Sequence, residues 1–144
     1  MIKKEEFETE LFFKIKNKLI MKPCEIVEYH KFTEDLEKYP KNTYVGTYRE
    51  IDWSVVRRHE SYWCGYIHIK YDDEFEDFDV HRGITYRNDD KFGFDCAHWG
   101  DYRNGFLYHA GDVYKTRDWV ITHIEQIIDQ YLEWINNNSN KQMN

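Results

Sequence analysis

Two short stretches of this chain concentrate the side chains able to do chemistry, VHRGITY at residues 80–86 and GFDCAHWGD at residues 93–101. Together they place two histidines, two carboxylates, a thiol and an arginine in otherwise apolar surroundings, where a polar group is costly unless it is paired or used. Asp95, His98 and Asp101 follow one another at intervals of three, and His81 is available from the neighbouring segment. Carboxylate and imidazole donors suit Zn, Mn or Fe, and a bound cation would acidify a water, so these four residues make a metal-dependent hydrolase one reading. His109 and Asp112 lie just beyond. The spacing matches no HExxH pattern, and on a strand Cys96 alternates away from Asp95. Cys96 lies two residues before His98. Thiols at apolar strand positions are commonly inert, which argues against a cysteine nucleophile.

The same residues also suit a ligand rather than a reaction. A guanidinium recognises phosphate or carboxylate through paired hydrogen bonds, so Arg82, with Arg87 or Arg103 near it in sequence, can hold a small anion. Tyr86 and Trp99 would stack on a ring, while His81, Thr85, Asp95, His98 and Asp101 would set its orientation. In this version no residue is catalytic and no cofactor is required, a divalent metal belonging to the hydrolase alternative. A third reading is structural: buried His and Asp side chains beside turns satisfy backbone amides and fix loops.

Positioning these residues requires a sheet. Residues 42–52 alternate in a strand pattern that residues 53–56 continue, and the polar RRHES at 57–61 reads as a hairpin loop. Residues 62–69, YWCGYIHI, form the clearest strand, with Gly65 marking a bulge or a close approach. VHRGITY and KFGFDCAH read as two further strands joined by a turn at RNDD, residues 87–90. The acidic run at 71–79 reads as a solvated loop or edge, and residues 99–111 as a long loop able to cover a site. Before the sheet, Phe7, Leu11, Ile15 and Leu19 predict an amphipathic helix over residues 2–20 that Pro23 stops. A short strand at 25–29 and a short helix at 33–38 follow. After the sheet, Val120, Ile124, Ile127, Ile128, Tyr131 and Ile135 predict a second amphipathic helix over 116–135, capped by Thr116. The expected fold is α+β: an antiparallel sheet of about four to six strands with N- and C-terminal helices packed on it. Residues 1–136 make one domain, and the polar residues 137–144 a fraying tail.

Composition narrows the partners. With 20 Lys and Arg against 27 Asp and Glu, the formal charge of -7 disfavours binding to a nucleic-acid backbone, which needs a basic face. An acidic surface either aids solubility or mimics nucleic acid toward a basic partner. Aromatic residues are 18% of the chain, enough to build an aromatic core and to line a ring-binding pocket. Three cysteines without a CxxC pair indicate reduced thiols and a cytoplasmic setting. No apolar run is long enough to cross a bilayer, and the acidic start does not read as a secretory signal.

At these same residues the chain resembles a family of small phage and prophage proteins that carry a CGYV-type strand, a YDD segment, a VHGGLTY-like motif and an FGFDCAH-GD-like motif. The matching positions are residues 64–67, 71–73, 80–86 and 92–101, with Arg82 standing where the family motif has glycine. The resemblance implies a phage accessory protein, a class rich in inhibitors of host defence, and implies no activity. The combined expectation is a binding protein that sequesters a small anionic, nucleotide-like ligand or occupies a host protein. Homo-oligomerisation remains open.

Overall fold

A computed structural model describes residues 21–75 and 78–143. The helix expected over residues 2–20 lies outside the described residues. The first described element is α1, Pro23–Lys38. Pro23, expected to end the preceding helix, begins this one, where its missing N–H would have had no partner. The strand expected at 25–29 belongs to the same helix. Tyr29, Phe32 and Leu36 recur at helical spacing and are buried, so the face that reaches the core spans both short elements of the sequence reading.

Five strands follow: β1 Thr43–Tyr48, β2 Ile51–Arg58, β3 Tyr62–Ile67, β4 Tyr86–Arg87 and β5 Phe92–Asp95. They form one antiparallel sheet in the order β1-β2-β3-β5-β4. The strand expected at 42–52 is therefore divided by a tight turn at Arg49 and Glu50, both at positive φ, and Asp52 lies in the next strand. Arg57 and Arg58, expected in a polar loop, close β2. Arg57 is buried: its guanidinium lies 4.2 Å from the Trp63 ring and donates to the carbonyls of Tyr39 and Lys41. The stretch at 80–86, expected as a strand, joins the sheet only at Tyr86, because Arg82 and Gly83 adopt positive φ and Gly83 N–H closes a turn onto the Val80 carbonyl.

The last element, α2, is Arg117–Met143. Thr116 accepts the Trp119 N–H at 3.1 Å, the capping bond its position predicts. The helix continues through residues 137–143, set apart in sequence as a tail, since that run of Asn, Ser, Lys and Gln contains no Gly or Pro to stop it. Val120, Ile124, Ile127 and Ile128 are fully buried and pack α2 across β3 and β2. Gly65 permits this approach, because a Cβ there would lie 2.8 Å from the Phe94 ring and 3.1 Å from Ile124. The fold class is thus α+β, with helices from both sides of the sheet segment packed on one core containing Phe32, Trp63, Phe92 and Phe94. No described helix is long and apolar enough to cross a membrane.

Candidate functional site

The chain leaves β5 at Asp95 and turns sharply, so that the carboxylates of Asp95 and Asp101 become the centres of two separate clusters. Asp101 is the more enclosed, its side chain only 1% exposed. It accepts the His98 backbone N–H at 3.1 Å, while the Asp101 N–H returns to the His98 carbonyl, closing the turn reciprocally. His81 Nε2 lies 2.9 and 3.0 Å from its two oxygens. A carboxylate only accepts, so Nε2 carries the proton. Lys115 Nζ completes the set at 3.3 Å. Burial pushes the Asp101 carboxyl up, but the hydrogen bonds from His81 and His98 and the nearby His81 and Lys115 charges outweigh it, leaving the group below its ordinary value.

His81 is itself held by α2. Its backbone N–H donates to His123 Nε2 at 2.7 Å, which leaves the His123 proton on Nδ1, 3.3 Å from Gln126 Oε1. Burial lowers the His123 pKa, in keeping with a neutral ring. Trp119 packs edge-on against His81 and stacks with His123.

The Asp95 cluster lies nearer the surface. Asp95 accepts the Thr85 hydroxyl at 2.8 Å on one oxygen and the Ala97 N–H at 3.0 Å on the other. His98 Nε2 approaches to 3.0 Å but is not aligned for a hydrogen bond, and this buried nitrogen has no hydrogen-bond partner. Arg82 points elsewhere again. From a left-handed backbone (φ +56°) its Nη2 donates to the Trp99 carbonyl at 2.8 Å, strapping the turn at 98–101. The Trp99 ring is 74% exposed and lies 4.4 Å from the His109 ring.

The eight candidate residues are therefore distributed over four places. His81 meets Asp101, Thr85 and His98 meet Asp95, and Arg82 meets the Trp99 backbone. Tyr86 stands apart on β4, edge-on to Tyr66 and hydrogen-bonded to Asn88. Among the described residues no group of three or more His, Cys, Asp or Glu can hold a metal ion, so His81, Asp95, His98 and Asp101 do not form one ligand set. Cys96 is buried and its thiol is pushed well up by burial, the reverse of what a nucleophile needs.

What the sequence reading leaves out is an open groove of about 490 Å³ beside β4, lined by Tyr71, Phe78, Gly83, Ile84, Thr85, Tyr86 and Arg87. Arg87 lies 5.2 Å from the Tyr71 ring and 3.3 Å from the exposed Asp73 carboxylate. Lys115, Trp119 and His123 are likewise missing from the candidate set. Their signal is faint: Trp119 and His123 share one helix face four residues apart, opposite no motif in sequence. No family model matches this chain, and neither a curated protein nor a solved structure matches it.

Proposed function

We propose that this chain is a non-catalytic binding protein whose β4 groove takes a small anionic ligand carrying an aromatic ring, of nucleotide type. The supporting observation is the composition of the groove, which places Tyr71, Phe78 and Tyr86 beside Arg87 in a space of about 490 Å³, the size of a small-ligand site. Tyr86, 42% exposed, offers its ring to a planar group, and Arg87, over the Tyr71 ring, offers a fork for phosphate or carboxylate. Arg87 thereby takes the role first given to Arg82, whose guanidinium is engaged with the Trp99 carbonyl. Thr85 and Tyr86 keep their places in the binding set. His81, Asp95, His98 and Asp101 act by holding the adjoining turns. The motif resemblance supports reading the protein as a phage accessory protein, for which sequestering a nucleotide-like signal in the host cytosol would act against host defence.

One observation favours a second reading, occupation of a host protein. Trp99 and Leu107 are 74% and 79% exposed, and Phe106 and Val113 are also exposed in the connection between β5 and α2. Calorimetric titration with the four nucleoside 5′-monophosphates and their parent nucleosides separates the readings. At least one monophosphate is expected to bind, and Arg87→Ala to weaken it by about 10- to 100-fold, the worth of one charged hydrogen-bonded contact. Absence of binding at millimolar concentration, or equal binding by the variant, overturns the groove reading.

A further inference from the structure

The sheet has a second edge, at β1, on the opposite side from the groove. The Arg57 N–H donates to the Asn42 carbonyl at 2.7 Å, which points residue 42 toward β2. In an antiparallel ladder the N–H and C=O of one residue point the same way and alternate along the strand. Tyr44, Gly46 and Tyr48 therefore bond to β2, while the backbone groups of Thr43, Val45 and Thr47 point outward from the edge.

Protected edges carry a lysine, a proline, a bulge or an inward charge. The strand TYVGTY contains no charged residue and no proline, and it pairs with β2 in continuous register. Its outer face is Thr43, Val45 and Thr47, with Val45 75% exposed. Among the described residues no strand covers this edge.

We propose that β1 is a homodimerisation edge, pairing antiparallel with β1 of a second copy about a two-fold axis through Val45 to make one continuous sheet. The self-complementarity of the strand points to this occupant. With Val45 opposite its twin, each Thr43 lies opposite a Thr47, and every outward N–H and C=O of these three residues meets a partner. Directly opposed residues also share a face, so the outer surface gains a Val–Val and two Thr–Thr pairs, the β-branched neighbours that stabilise a ladder. A shift by one residue would oppose Val45 to Gly46 and set outward backbone groups against groups already bonded to β2. An extended peptide from another protein would find the same donors and acceptors, but nothing on the edge selects its sequence.

Sedimentation equilibrium of the full chain from about 1 to 200 µM tests this, since a short edge-to-edge contact binds in the micromolar range. The wild type is expected to reach twice its 17.8 kDa mass. Val45→Lys and Val45→Glu set like-charged side chains on Cα atoms about 5.5 Å apart across the axis and are each expected to be monomeric. An equimolar mixture of the two is expected to recover the dimer mass. Because Val45 is exposed, neither change disturbs the core, and unchanged circular dichroism verifies that. A wild type that stays at 17.8 kDa throughout, a single variant that still dimerises, or a mixture that stays monomeric overturns the proposal.

Discussion

Replacing Asp101 with alanine tests whether the polar cluster is part of the architecture. The carboxylate serves three donors, the His98 N–H, His81 Nε2 and Lys115 Nζ. Its removal strands the His98 N–H inside the turn, which costs about 1–3 kcal/mol. His81 and Lys115 retain 15% and 14% side-chain exposure and can turn partly toward water, so the loss falls short of the full cost of breaking a buried ion pair. The two contributions together predict a destabilisation of about 2–4 kcal/mol, a fall of about 1–2 M in the urea midpoint. Asp101→Asn keeps an acceptor for the His98 N–H and should lose about half as much. The pH dependence has a definite sign. The folded carboxyl lies below its ordinary value, so its stabilisation is present above the unfolded pKa of about 3.9 and is lost as pH falls through the lower folded pKa. Wild type and Asp101→Ala should therefore differ fully at pH 5 and converge below about pH 4. Urea titrations at pH 3, 4, 5 and 7 provide the assay. A midpoint unchanged by Asp101→Ala at pH 7 would refute the structural role, as would a difference that grows toward pH 3.

The α1 side of the core makes a parallel case, because Asp35 Oδ2 accepts Trp63 Nε1 at 2.8 Å, the Tyr114 hydroxyl at 2.6 Å and the Arg117 N–H at 3.1 Å. Asp35→Ala should cost about 3–5 kcal/mol and Tyr114→Phe about 1–2 kcal/mol in thermal melts, with the double variant less affected than their sum. Strict additivity would show that the two do not act as one network. Of the three thiols, Cys24 is exposed while Cys64 and Cys96 are buried with their pKa values raised chiefly by burial. Native protein should accordingly release one equivalent of thionitrobenzoate rapidly and the remainder only on unfolding. Three equivalents at one rate would contradict the packing.

Local pattern was enough wherever a segment's own side chains decide its environment. β3 reads as a central strand because Trp63, Cys64, Tyr66 and Ile67 are apolar on both faces, and all four are buried. The stripe of α2 is legible for the same reason. The β1–β2 turn is not, because Arg49 and Glu50 lack the glycine or asparagine that positive φ favours. What holds it comes from far along the chain: Arg49 and Tyr48 both reach Asp129 on α2. In α1 the obstacle is the polar pair Glu28 and Asp35, which look solvent-facing in sequence and are buried because Tyr114, Trp63 and Arg117 supply donors. The candidate site divides along the same line. Proximity of the two motifs is visible in sequence, and His81 does meet Asp101. Their completion by Lys115 and His123 depends on how α2 returns, which no local spacing encodes.

That division also bears on where a ligand can gain free energy. A side chain already bonded inside the fold helps a ligand only by giving up its existing partner. Arg82 would surrender a 2.8 Å bond to the Trp99 carbonyl and, with it, the strap on the turn. Asp101 would surrender three donors. Arg87 is differently placed: its ion pair with Asp73 joins side chains 62% and 91% exposed, and such a pair contributes little because water screens it. An incoming anion can replace Asp73 at small cost while gaining a guanidinium that already sits over the Tyr71 ring. Thr85 joins the two regions, lining the groove while donating to Asp95, which in turn accepts the Ala97 N–H. The tightly bonded turns thus fix the wall of the groove, and in the proposed function the loosely paired arginine at its rim would recognise what enters.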